Sequence, residues 1–216
     1  MEKAVIREFR EGDREKIREI FRRTGQRGNP LRVYIEDEEL VLWLIVDYYM
    51  DYETELCLVA EFDGKVVGYI LGCRDTKRYM KVVLTWILPC MIFRFLWKTA
   101  TFQYQERKTY LVMKWLLSKS RRELPQPPLD RYPAHAHLHI DQGFRHLQLG
   151  PKLVDALAER FQKCGLTGFH GIVMEEEGKN VFARALRMKV LDVRRTTVWD
   201  AYTGKRWNAK LLVRDL

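Results

Sequence analysis

Apolar and polar positions alternate over residues 4–9, which predicts a first strand. At Asp13 the period becomes helical. Ile17, Ile20 and Phe21 share one face, with Asp13 as the expected N-cap and Gly25 as the stop. A second helix is predicted over 36–49, opened by four acidic residues that suit the positive end of a helix. The clearest element is a hairpin: runs 56–62 and 65–73, rich in Val, Leu and Ile, flank Asp63-Gly64, a pair that accepts the positive φ angles of a tight turn.

Residues 74–123 then predict helices at 82–97 and 103–120, and Leu-Pro-Gln-Pro-Pro ends the segment in extended backbone. We read residues 75–133 as an insertion lying over one face of a sheet. Beyond it, 135–141 alternate as a strand, 144–150 read as a loop, and 151–164 as a helix with Pro151 at its first position. A strand at 168–174 closes this strand–loop–helix–strand unit, whose two strands should lie parallel through a right-handed crossover. A helix at 180–189 and a hairpin of 193–199 with 207–213 complete the pattern. The whole is an α+β chain, one domain over 1–216, with a mixed sheet whose antiparallel wings flank one parallel pair.

Composition narrows the function. The 216 residues carry 47% hydrophobic and 31% charged positions, which excludes a disordered chain. The net charge of +9 fits a nucleic acid, an anionic membrane or a polyanionic small molecule. The basic residues are scattered and no nucleic-acid-binding motif accompanies them, so no nucleic acid partner is expected and solvated faces are the bland explanation. Cys57, Cys73, Cys90 and Cys164 form no CxxC pair, which argues against zinc and against a disulfide framework. The charged start lacks the apolar core of a signal peptide, so a cytoplasmic location is expected. Residues 82–97 are apolar but interrupted by Pro89 and Arg94. We expect a buried or partner-facing helix pair there, able to form a homodimer face, rather than a membrane helix.

The run Arg145-His146-Leu147-Gln148-Leu149-Gly150, between a strand and a helix, resembles the Q/R-x-x-G-x-G/A motif of the GNAT superfamily of N-acetyltransferases. Asn180-Val-Phe-Ala183 is similar to its Asn-x-x-Ala pattern, and Pro133-Ala-His-Ala-His-Leu-His139 resembles one bacterial branch. The resemblance implies a GNAT fold with its parallel fourth and fifth strands, acetyl-CoA as co-substrate and an unidentified amine acceptor. It places the pyrophosphate on Arg145, His146, Leu147, Gln148, Leu149 and Gly150, with Lys152 beside them and Asn180 nearby. The pantetheine arm would pair with the fourth strand over His139, Ile140 and Asp141.

Elementary chemistry supports that placement, since backbone N–H groups entering a helix N-terminus form an anion site. Two departures stand out. Gln148 replaces the first motif glycine, and Arg187 stands where the family often has a catalytic tyrosine. The alternative is therefore a degenerate GNAT fold that binds coenzyme A, or regulates, without turnover. His137, His139 and Asp141 alternate along the strand and share a face, with His139 the candidate general base and Asp141 its orienting partner. His135, His137 and His139 also invite a metal, but no fourth ligand accompanies them and none is expected. Glu175-Glu176-Glu177 fits a solvated turn or a magnet for a cationic acceptor.

Overall fold

A computed structural model of the chain describes residues 4–25 and 29–216. Among the described residues seven strands form one sheet: β1 (Val5–Glu8), β2 (Cys57–Phe62), β3 (Lys65–Cys73), β4 (Ala134–Ile140), β5 (Gly168–Glu176), β6 (Lys189–Thr196) and β7 (Trp207–Asp215), in the order β1-β2-β3-β4-β5-β7-β6. Every neighbouring pair is antiparallel except β4 and β5. The β2–β3 turn is as the Asp-Gly pair requires, with φ of 50° at Asp63 and 69° at Gly64.

The first helix, α1 (Arg14–Thr24), buries Ile17, Ile20, Phe21 and Thr24. Its expected cap differs. The Asp13 carboxylate accepts the Arg10 N–H at 2.8 Å and two hydrogen bonds from Arg7, so it closes the preceding turn and ties it to β1. The second helix, α2, runs over 39–52 and passes through a π-helical turn at Trp43–Asp47. Tyr48, Tyr49 and Met50 of α2 join α1 and one face of β2 and β3 in the larger core.

The insertion is one continuous helix, α3 (Thr76–Ala100), followed by α4 (Lys108–Ser118). The expected pair of helices broken at Pro89 is absent because a second π-helical turn, Val83–Ile87, lies just before the proline. A π turn shifts the hydrogen-bond register where proline has no N–H to offer. Nor is the segment buried: Val83 and Met91 face the core, while Trp86 and Phe93 are each 70% exposed. Asp37, 4% exposed, fastens the insertion to the domain. It accepts Arg94 at 2.8 and 2.9 Å and Tyr104 Oη at 3.1 Å, and lies 3.1 Å from Lys98.

The opposite face of the sheet is covered by α5 (Leu149–Lys163), whose Leu149, Leu153, Leu157 and Phe161 pack on Leu58, Ile70 and Phe169. The helix starts two residues earlier than its pattern predicts, which puts Pro151 at the third helical position, still within the turn that has no intrahelical acceptor. A short helix, α6 (Val181–Leu186), follows β5 and is cut off by Arg187, so β6 begins at Lys189. The final hairpin encloses one helical turn, Asp200–Thr203.

Candidate functional site

The parallel pair is joined at two positions, Ala134↔Phe169 and His135↔His170. Beyond them β4 stays on β3 as far as Ile140, and β5 stays on β7 as far as Glu176. Each strand follows its outer neighbour through the sheet twist, and a V opens between 136–140 and 171–176. Alternate residues of β4 turn N–H and C=O groups into this V, a template for an extended ligand.

At the mouth of the V, Asp141 N–H extends the ladder to Val67 O at 2.8 Å, and a 3-10 turn, Gln142–Leu147, leads to α5. Gln148 links the two in the left-handed region, at φ 51° and ψ 39°. This is backbone that glycine adopts without strain and glutamine does not, which explains the glycine of the resembled motif. Gly150 is buried, and a Cβ there would lie 3.2 Å from Leu186 Cδ2 and 3.6 Å from Ile140 Cδ1. Its smallness lets α5, α6 and β4 meet. The first turn of α5 leaves the N–H groups of Leu149 and Gly150 without intrahelical acceptors, and Pro151 has none to contribute. Arg145, His146, Gln148 and Lys152 are exposed around this turn, whereas Leu147 packs against the α5 core.

Asn180 precedes α6, but the N-terminal N–H groups of that helix, on Val181 and Phe182, bond to Glu175 Oε1 at 2.8 and 3.1 Å. The Asn180 amide is thereby released from capping, and its Oδ1 is buried without a partner. An acceptor left dry costs stability unless something supplies a donor. The acidic run is a solvated turn only in part: Glu177 is exposed in the turn, whereas Glu175 lies inside. Glu175 is fully buried 3.0 Å from Lys210, Glu176 pairs with Lys179 and with Lys205 at 2.9 Å, and Glu177 lies 3.5 Å from Arg206. Each carboxylate of the run thus has a cationic side chain beside it.

The three histidines of β4 share the face packed on α1 and α2, as alternation requires, but their partners separate their roles. Thr76 Oγ1 donates to Pro133 O at 2.7 Å, so His135 Nδ1, 2.8 Å away, must be the donor to Thr76. Its Nε2 then accepts from Tyr49 Oη at 2.8 Å, and no lone pair remains for a metal. His137 makes ring contacts, 5.5 Å from Tyr49. His139 Nδ1 lies 3.2 Å from Thr24 Oγ1. Asp141 is not its orienting partner: that carboxylate is held by Arg23 at 2.7 Å, because the chain turns away after Ile140. Burial pushes the His139 ring down to about 3, with the charges of His137 and Arg145 adding to it, so the ring is neutral at physiological pH.

Sequence reasoning missed Thr24 and Tyr69. Tyr69 sits directly across from His139 in the β3–β4 ladder, and its buried hydroxyl has no partner. Burial holds that phenol well above its usual range. Neither residue belongs to a motif; only knowledge of strand register and helix facing could have found them. Arg187 caps α6 in the left-handed region, with its guanidinium 3.9 Å from Asp155. Tyr202 donates to Lys108 O at 3.1 Å and packs on Tyr34, a tie between the insertion and the final hairpin.

No family model matches the sequence, and no curated protein matches it. Solved structures do. The crystal structure of SsHAT shares 23% identity and a TM-score of 0.71, with 98% of each chain covered. The yncA protein of Salmonella typhimurium, solved with its cofactor acetyl-CoA, shares 14% identity and a TM-score of 0.55 over 99% of this chain and 94% of its own. The polyamine N-acetyltransferase of Drosophila melanogaster, which forms N-acetylagmatine, shares 14% identity and a TM-score of 0.54 over 99% and 100%. The mixed sheet, its single parallel pair and this likeness make the fold that of the GNAT superfamily.

Proposed function

We propose that the protein is a cytoplasmic acyl-CoA-dependent N-acyltransferase that moves an acetyl group from acetyl-CoA to an amine by direct attack. The observation that carries this reading is the V between β4 and β5 with the free first turn of α5 at its mouth. The residues fit the co-substrate. The N–H groups of Leu149 and Gly150 suit a diphosphate, and the side chains of Arg145 and Lys152 suit its charge. The inner edge of β4 at 136–140 suits the amides of a pantetheine arm, one of which can donate to the orphaned Asn180 Oδ1.

Acetyl-CoA supplies an activated acyl group; the protein's own share is binding, positioning and proton removal. An amine acceptor is cationic at neutral pH and must lose a proton before it attacks. His139 offers a neutral Nε2 on the α1/α2 side of β4. Its low proton affinity suits a relay through water better than a group that stores the proton. The edge N–H groups of β4 are placed to stabilise negative charge developing on a thioester oxygen.

The deciding experiment is calorimetric titration with acetyl-CoA combined with thiol release on an amine panel. Binding with turnover supports the transferase. Binding with no thiol release from any amine favours a silent coenzyme A module, the reading that Arg187 at the tyrosine position supports. Absence of binding at millimolar acetyl-CoA overturns both.

A further inference from the structure

The chain has a second unusual surface, remote in kind from the V. Along α3, Trp86, Phe93 and Trp97 recur at spacings of seven and four residues and line one groove of about 620 Å³ with Trp43, Pro89 and Cys90. Their exposures are 70%, 70% and 59%, and Leu84 and Leu96 beside them are exposed by 58% and 57%. Large apolar groups grouped this way mark a contact surface rather than ordinary solvent-facing positions.

Charge tells what kind of surface would cover it. Residues 75–133 hold twelve Lys and Arg against four Asp and Glu, a net of +8 out of the chain's +9. The rest of the molecule is nearly neutral. Lys77, Arg78 and Lys81 are exposed on the turns before the aromatic stripe, and Lys114, Arg121 and Arg122 are exposed after it. Between Lys81 and Arg94 there is no charged residue. An apolar stripe with indole and phenyl rings inside a cationic segment is complementary to an anionic bilayer, where rings enter the headgroup boundary and Lys and Arg meet lipid phosphate. A second copy of the chain would bring +8 against +8.

We propose that the insertion is a membrane-docking surface, with α3 lying parallel to an anionic lipid leaflet. The helix is long and apolar enough to cross a bilayer. Its inner face rules out crossing in this fold: Val83 and Met91 are in the core, and Arg94 is bonded to the buried Asp37. Docking rather than spanning follows. The inference is independent of whether the V binds acetyl-CoA.

The test is co-sedimentation of the full chain with vesicles of phosphatidylcholine containing 30% phosphatidylserine, against phosphatidylcholine alone, in low and high salt. Tryptophan emission and its quenching by brominated lipid are read in parallel. Binding to the anionic vesicles, a blue shift with quenching, and at least a tenfold loss of binding in W86E/F93E and in K77E/R78E/K81E are expected. Both sets of side chains are exposed, and unchanged circular dichroism verifies their folding. Three outcomes overturn the proposal: no vesicle binding, binding that W86E/F93E leaves intact, or a dimer by light scattering that W86E/F93E dissociates while vesicles are ignored.

Discussion

Thr24 fixes the tautomer of His139. Its single hydroxyl hydrogen goes to Ile20 O at 2.6 Å, so at 3.2 Å from the ring it can only accept, and His139 must carry its proton on Nδ1. Nε2 is thereby left as the basic atom. In the proposed transferase, His139→Gln should lower kcat about 100-fold, Thr24→Val several-fold, and Thr24→Ser little. Thiol-release kinetics check this, with KM for acetyl-CoA expected to stay constant across the three.

Gln148 holds a left-handed backbone that costs a non-glycine residue about 1 kcal/mol. Gln148→Gly should therefore raise stability by roughly 0.5–1 kcal/mol, while Gln148→Val should lower it. Removing the side chain also opens the approach to the first turn of α5, so calorimetry should show tighter acetyl-CoA binding for the glycine variant. Unchanged melting would mean that the strain is relieved elsewhere.

The Asn180 oxygen, buried and unpartnered, separates binding from stability. Asn180→Ala removes an unsatisfied acceptor and its desolvation penalty, so the melting temperature of the ligand-free protein should hold or rise. Acetyl-CoA affinity should fall about tenfold, the loss of one hydrogen bond to ligand. Thermal denaturation with and without acetyl-CoA reads both at once.

Acid should destabilise the fold through the strand histidines. Burial pushes His137 down to about 4 and His170 to about 4, and His135 is held far below its usual range. The unfolded chain takes up protons near pH 6.5 while the folded rings stay neutral. Stability is thus complete above about pH 7 and declines from there toward pH 4. His137→Gln should lose on the order of 1 kcal/mol less than the parent between pH 7 and 5, visible as a flatter plot of melting temperature against pH.

Asp37 gathers Arg94, Lys98 and Tyr104 in a buried site, so its loss strands two cations. Asp37→Ala should cost about 3 kcal/mol and free the insertion from α2. Limited proteolysis near residues 101–107 should accelerate in that variant, whereas an exposed change such as Lys114→Ala should leave the digest unaltered.

Local chemistry explains what the sequence reveals and what it conceals. Asp63-Gly64 declares its hairpin because the turn angles demand those residues, and the strand–loop–helix–strand unit is legible because its periods differ. The motif run 145–150 is legible too, even through Gln148. What escapes is decided by neighbours distant in the chain. Asp13 is a good cap by type, but Arg7, which Glu61 of the neighbouring strand holds in place, draws it into another network. Glu175 reads as a surface carboxylate until Lys210 from β7 arrives beside it. Pro89 reads as a break, yet a π turn a residue earlier absorbs it. Thr24 and Tyr69 meet His139 only once helix facing and strand register are set.

Two rungs, Ala134↔Phe169 and His135↔His170, are the whole seam between a four-stranded half-sheet and a three-stranded one. Apart from helices bridging it, the sheet has a backbone hinge here where most sheets have a continuous ladder. A molecule lodged along β4 would act as a missing strand and stiffen both halves together. Amide exchange along residues 136–140 would then report occupancy directly, and stiffness would become the quantity through which substrate and fold speak to each other.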